Sequence, residues 1–223
     1  MADWTQIGVA RGDDGRGRCG WSVAAPDYAA YHDEEWGRPV TDDVSVYEKI
    51  CLEGFQSGLS WLTILRKREG FRRAFAGFAP ERVARFGARD VERLLGDAGI
   101  VRHRGKIEAT IANARATLSA QERHGSLAAV VWSFEPPRRG RPAPKLLGDL
   151  PAVTAESTAL SKALKQLGFR FVGPTTAYAA MQSLGLVNDH LAGCHVRAAC
   201  ERERRELVSS PAGRQHSPGD GRP

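Results

Sequence analysis

The chain has 223 residues, 42% of them hydrophobic, enough to bury one good core and to make a single domain the default. Its 32 Lys and Arg outnumber 26 Asp and Glu, and the net charge of +6 favours an anionic partner such as nucleic acid without specifying one. No stretch approaches the ~20 consecutive apolar residues of a membrane helix, and the first residues lack the apolar run of a signal peptide, so a cytoplasmic protein with no membrane association is expected.

Residues 1–17 carry Gly, Asp and Arg in place of apolar residues and are expected to be a disordered extension; 201–223 is expected to be a disordered tail for the same reason. Between them, 18–200 is expected to form one all-α domain, because the periodicity is helical and few stretches alternate like a strand. In "TDDVSVYEKICLE" the residues Thr41 to Asp43 offer N-caps, and Val44, Tyr47 and Cys51 recur at helical spacing. Pro80 in "PERVARF" suits a first helical position, "RDVERLL" follows, and "GKIEATIANARATL" sets Ile107, Ile111, Ala114 and Leu118 along one stripe. "SLAAVVWSF" is short and apolar. The basic, proline-rich 136–145 then breaks regular structure and reads as an exposed loop. Ser157 can cap "TALSKALKQLG", and Pro174 opens a last helix, "PTTAYAAMQSLG".

Four cysteines (Cys19, Cys51, Cys194, Cys200) in a reducing compartment point to metal, catalysis or plain burial before disulfides. Cys19 and His32 lie near the start of the core, His190 and Cys194 near its end, the second pair at the i, i+4 spacing that puts both on one face of a helical turn. A lone His or Cys is more often a satisfied core residue, and His195 and Cys200 are rival ligands in a compact C-terminal cluster. If the four act together, metal binding on the order of 10 kcal/mol exceeds the about 4 to 5 kcal/mol needed to close a loop of roughly 160 residues. Four protein ligands leave no position for water, which makes such a site structural; the H-x-E and P-C-x-x-C pattern of zinc deaminases is absent.

Trp21, Tyr28, Tyr31, Trp36 and Trp61 crowd into one region of a chain with only five Trp and four Tyr. Glu53 stands among them in "CLEGFQSGLSW", close to Gly54 and Gly58. Singly, each ring is best read as core. As a set, rings around one carboxylate suit a flat, electron-poor or cationic ligand, such as a modified nucleobase. "LGFRFVGPTTAYAAM" places Gly168 and Gly173 around a short hairpin before a helix start, where backbone N–H groups can hold phosphate, with Lys165 and Arg170 nearby. An ordinary C-cap glycine and N1 proline fit that stretch equally well. The basic turn at 97–109 is a second candidate of the same kind.

Taken together, "RCGW", "YAAYHDEEWG", "CLEGFQSGLSW", "DAGIVRHRGKIEATIANARA" and "GFRFVGPTTAYAAMQSLGLVNDHLAGC" resemble the type I 3-methyladenine DNA glycosylases over roughly residues 18–195. The resemblance implies a helix-hairpin-helix DNA glycosylase fold whose N- and C-terminal segments are stapled by a structural zinc on Cys19, His32, His190 and Cys194. It implies a base pocket of Trp21, Tyr28, Tyr31, Glu53 and Trp61, with Glu53 recognising the adenine edge. It also implies DNA contacts through Leu59 as a wedge and through Gly168, Gly173 and Thr175 of the hairpin at 168–175. The expected partner is alkylated double-stranded DNA, and the expected chemistry releases 3-methyladenine to leave an abasic site. No lysine follows the hairpin helix where lyases of the wider superfamily keep one, and Asp189 receives no role. A non-catalytic damage-binding module of the same fold is the alternative. Nothing points to an obligate dimer, so a monomer is expected.

Overall fold

The computed structural model describes residues 4–138 and 141–209. Helices make up most of them, as the periodicity predicts, with one small antiparallel pair of strands.

The pair, β1 (Val9–Arg11) and β2 (Gly17–Cys19), is a correction to the expected disordered extension over 1–17. Its three-residue strands are too short to show alternation. They are held from outside: Leu147 N–H donates to the Ile7 carbonyl at 2.8 Å and His195 N–H to the Gly17 carbonyl at 2.9 Å. A 3₁₀ turn over Gly20–Ala24 leads into α1 (Pro26–Glu34).

α2 (Asp43–Gln56) is the central helix, buried from Val46 to Phe55. Asp42 caps it by accepting from Ser45 N–H at 2.8 Å, within the stretch expected to supply the cap. Against α2 pack α3 (Trp61–Ala74), α6 (Arg104–His124) and α7 (Leu127–Trp132), while the short α4 (Pro80–Val83) and α5 (Ala88–Gly96) pack on α6. Phe55, Phe71, Phe75 and Phe78 fill the space between α2 and α3 with ring centroids 4.5 to 6.4 Å apart.

α8 (Ala155–Gln166) starts earlier than expected. Thr154 is its cap, accepting from Ser157 N–H, while Ser157 returns a bond to Thr154 N–H from a buried third position. The hairpin joining α8 to α9 (Pro174–Ser183) is fixed by Asn113 of α6, which accepts from Arg170 N–H at 2.7 Å and donates to the Arg170 carbonyl at 3.2 Å. After α9 the chain turns at Gly185, φ +78°, where an added Cβ would stand 2.6 Å from the Arg38 carbonyl carbon. α10 (Arg197–Ser209) carries structure into the expected tail, and Arg204 on it is buried with Glu135 and the Leu186 carbonyl as partners. The rest of that expected tail, 210–223, lies outside the described residues, as do 1–3 and 139–140. The 136–145 loop is not simply solvated either: Arg138 pairs with Glu135, and Arg141 reaches into the protein. No described helix is long and apolar enough to cross a membrane.

A four-ligand centre that shares a wall with an aromatic cavity

Cys19 at the end of β2, His32 on α1, and His190 and Cys194 after α9 converge, all four buried, with their ligand atoms within 4.8 Å of one another. His190 and Cys194 are not on a helix, contrary to the spacing argument. They sit on a tight turn closed by Cys194 N–H to the Leu191 carbonyl, with Gly193 at φ +86° supplying the left-handed residue that brings the thiol back. His32 Nε2 and His190 Nδ1 are 3.2 Å apart, Cys194 Sγ is 3.5 Å from each, and Cys19 Sγ is 3.8 Å from His190 Nδ1. A tetrahedral ion with bonds of about 2.05 Å to nitrogen and 2.3 Å to sulfur requires edges of about 3.3 Å (N to N) and 3.6 Å (S to N), so the donor set fits one. The Cys194 thiol is held far below its ordinary range by its hydrogen bonds with Cys19, then with His190 and His32.

The outward nitrogens are occupied. His32 Nδ1 donates to Asp33 at 2.7 Å and His190 Nε2 to the Trp36 carbonyl at 2.9 Å, which leaves the opposite nitrogens to face the centre. Arg18 clamps Asp33 with bonds of 2.7 to 3.1 Å and Asp14 with two of 2.7 Å, tying the strand pair to the same carboxylate. The rival His195 contacts Asp33 and the Gly17 carbonyl instead, and Cys200 is buried outside the cluster.

Against this centre lies a cavity of about 230 Å³ lined by Trp21, Tyr28, Tyr31, Trp36, Glu53, Gln56, Trp61, Leu150, Ala179 and Gln182. Trp21 packs edge-on to His32 with centroids 5.3 Å apart, and Trp36 to His190 at 4.7 Å. Two rings of the cavity wall therefore rest on the imidazoles, which is the physical reason for a histidine set between rings and acids in "YHDEEWG". Tyr31 and Trp61 meet at 5.3 Å on another side, backed by Lys49, whose Nζ is 4.7 Å from the Tyr31 centroid. Glu53 is 6% exposed, and burial pushes its carboxyl up to about 7, with Lys49 and a hydrogen bond from Ser183 acting in the opposite direction. The cavity thus offers flat apolar faces and a single carboxyl that ionises readily only beside positive charge.

A second cavity, about 250 Å³, shares Glu53, Gln56 and Ala179 with the first and opens past Ser57, Gly58, Leu59, Thr175 and Thr176. Leu59 is 43% exposed at its rim, on a turn held by Lys106, which donates to the Phe55 and Ser57 carbonyls at 2.9 and 2.6 Å. Thr175 stands on the first turn of α9, while Gly168, φ +99°, and Gly173 bracket the hairpin and line neither cavity. Gly54 serves packing, its Cα facing Phe171.

Trp36, Gln56, Leu150, Ala179 and Gln182 also line the cavity and were not among the expected site residues. Trp36 was visible among the crowded rings. Glutamine, alanine and a leucine from a distant loop carry no signal of their own.

A family model described as methyladenine glycosylase matches residues 21–198. The chain is 52% identical over 177 residues to DNA-3-methyladenine glycosylase 1 of Escherichia coli (strain K12), spanning 79% of this chain and 95% of that protein. It is 46% identical over 180 residues to DNA-3-methyladenine glycosylase of Haemophilus influenzae, spanning 79% and 96%. Among solved structures it matches 3-methyladenine DNA glycosylase I from Staphylococcus aureus, reported for the structural basis of 3-methyladenine recognition, with a TM-score of 0.75 and 37% identity over 81% of this chain and 96% of that one.

Proposed function

The chain belongs to the methyladenine glycosylase family, and on that premise we propose that it excises 3-methyladenine from alkylated double-stranded DNA as a monofunctional glycosylase. The observation that carries the reading is the cavity itself, where Trp21, Tyr28, Tyr31, Trp36 and Trp61 enclose one buried carboxyl.

Methylation at N3 places positive charge on adenine in DNA and weakens its bond to the sugar, so the leaving group needs little further activation. Flipping the base costs a few kcal/mol, less for a damaged pair. In the cavity, Trp21 and Trp61 stack on the cationic ring, and Glu53, drawn to its carboxylate form by that charge, accepts a hydrogen bond from the adenine edge. Water adds its oxygen to the anomeric carbon as the glycosidic bond breaks. The bonding pair leaves with neutral 3-methyladenine, the water proton passes to solvent, and an abasic site remains. No lysine lines the cavity, in keeping with hydrolysis rather than strand cleavage.

Leu59 is the wedge that fills the gap in the duplex. The hairpin with Gly168 and Gly173, and the α9 N-terminus with Thr175, hold the phosphates, aided by Lys162 and Lys165 beside an adjoining cavity of about 440 Å³. The four-ligand centre is a zinc site. Zinc there supplies a structural cross-link with no open position, and the residues that hold it also seat Trp21 and Trp36.

Incubation with methylated DNA and chromatography of the released purines tests the reading. Selective release of 3-methyladenine, lost in folded Glu53→Ala and Trp61→Ala, supports it. DNA binding without release by folded protein would replace it with a damage-binding role.

A further inference from the structure

Asp189 is 2% exposed, and both of its oxygens are engaged. Oδ1 accepts from Arg141 Nη2 at 2.8 Å; Oδ2 accepts from the Tyr178 hydroxyl at 2.6 Å and from Gln182 Nε2 at 2.8 Å. Arg141 also donates to the Tyr178 hydroxyl at 2.6 Å. Three donors hold this carboxylate, and it lies behind the cavity wall without lining the cavity itself.

Its consequence falls on Gln182, which does line the cavity. An amide can be turned end for end, and the two ends differ only in chemistry. Here the choice is forced: the amide oxygen placed against a carboxylate would be repelled, so the NH₂ must face Asp189, and Oε1 is the end left as an acceptor for the cavity. The guanidinium of Arg141, 2.8 Å from Oδ1, holds the carboxylate in place, and thus keeps the amide from turning.

We propose that Gln182 is a specificity-determining residue of the base cavity, an acceptor that reads an exocyclic amine, and that Asp189, Tyr178 and Arg141 are positioning residues that fix its orientation. The inference rests on the glycosylase reading above. It gives the cavity a second acceptor beside Glu53, so an amino-purine is bound and an oxo-purine of the same shape meets oxygen against oxygen. It also gives the basic loop at 136–145 a task, since Arg141 reaches a buried acid behind the cavity wall.

The test measures release of 3-methyladenine and of 3-methylguanine, which carries an oxygen in place of the amine at C6 and a further amine at C2, from the same methylated DNA, with the C6 substituent as the group that Gln182 reads. Gln182→Met should lower kcat/KM for 3-methyladenine about tenfold and leave 3-methylguanine unchanged or faster, narrowing the ratio. Arg141→Met should narrow the ratio in the same direction, and the double variant should lose less than the product of the two single losses, because both act through one amide. Equal losses for the two bases in Gln182→Met, or an unchanged ratio, would overturn the proposal. Should Arg141→Met fail to fold, Gln182→Met, similar in size and half-buried, decides alone. If the parent releases neither purine, the glycosylase reading fails. Calorimetry of the two free bases with the parent and Gln182→Met then tests the amide separately, with loss of preference for 3-methyladenine expected and equal affinities in both proteins refuting it.

Discussion

Glu53→Gln should make the protein more stable at alkaline pH while it lowers the activity. The carboxyl sits at about 7 instead of the ordinary 4.5 because burial penalises its charge. Between those two values the folded chain holds a proton that the unfolded chain has released, so stability is greatest below about 4.5, falls as pH rises through the window, and levels off above about 7. At about 1.4 kcal/mol per pH unit, the parent forfeits about 3 kcal/mol by pH 8 and under about 1 kcal/mol at pH 5. The value of about 7 already contains the opposing pull of Lys49, one turn away on α2. Glutamine keeps the shape and cannot ionise. Urea midpoints of parent and variant at pH 5, 6, 7 and 8, followed by circular dichroism, should diverge with pH in favour of the variant by up to about 3 kcal/mol, while 3-methyladenine release by the variant falls at least about tenfold. Any pH effect common to parent and variant cancels in the difference. Parallel midpoints across this range, or a parent more stable at pH 8, would refute a neutral buried carboxyl at Glu53.

Metal analysis should find one zinc per chain, and Cys194→Ser should be largely unfolded at 37 °C, since a site worth on the order of 10 kcal/mol rivals a whole fold of about 5–15 kcal/mol. Leu59→Ala should lower excision from duplex DNA about tenfold and leave affinity for free 3-methyladenine unchanged, measured by kinetics and calorimetry, because the wedge acts only on the stacked helix. Duplex affinity should fall with salt at a log-log slope of roughly −2 to −4 if a few phosphates are held, and a flat response in a titration series would argue against that face as the DNA surface. Gly70→Ala should cost about 1–3 kcal/mol by thermal melting, since a Cβ there collides with the Gly99 carbonyl.

The cysteine and histidine cluster and most of the residues that line the cavity were legible because their residue types are uncommon and chemically marked: Cys19, His32, His190, Cys194, Glu53 and the tryptophans. The misreadings have physical causes. His190 and Cys194 are four apart, which fits a helical turn and equally a tight turn through a left-handed glycine; spacing alone does not separate the two. Thr154 won the cap of α8 from Ser157 because the sequence offers several hydroxyls in a row and only packing chooses. The strands at Val9–Arg11 and Gly17–Cys19 owe their existence to contacts with Leu147 and His195, far along the chain, and their composition is that of a loop. Gln182 gains its meaning only from the buried acid beside it.

Two of the four ligands lie within the first 32 residues and two among 190–194. A polypeptide interrupted anywhere between carries only Cys19 and His32, a two-point grip that holds an ion weakly. With zinc bound as proposed, the centre reports that the chain runs at least as far as Cys194. Only a chain that carries both pairs can close it, and Trp21 and Trp36 rest against His32 and His190 when it does. Fragments broken between the two pairs should be bare of metal as well as inactive, so metal content separates them from chains that carry both pairs.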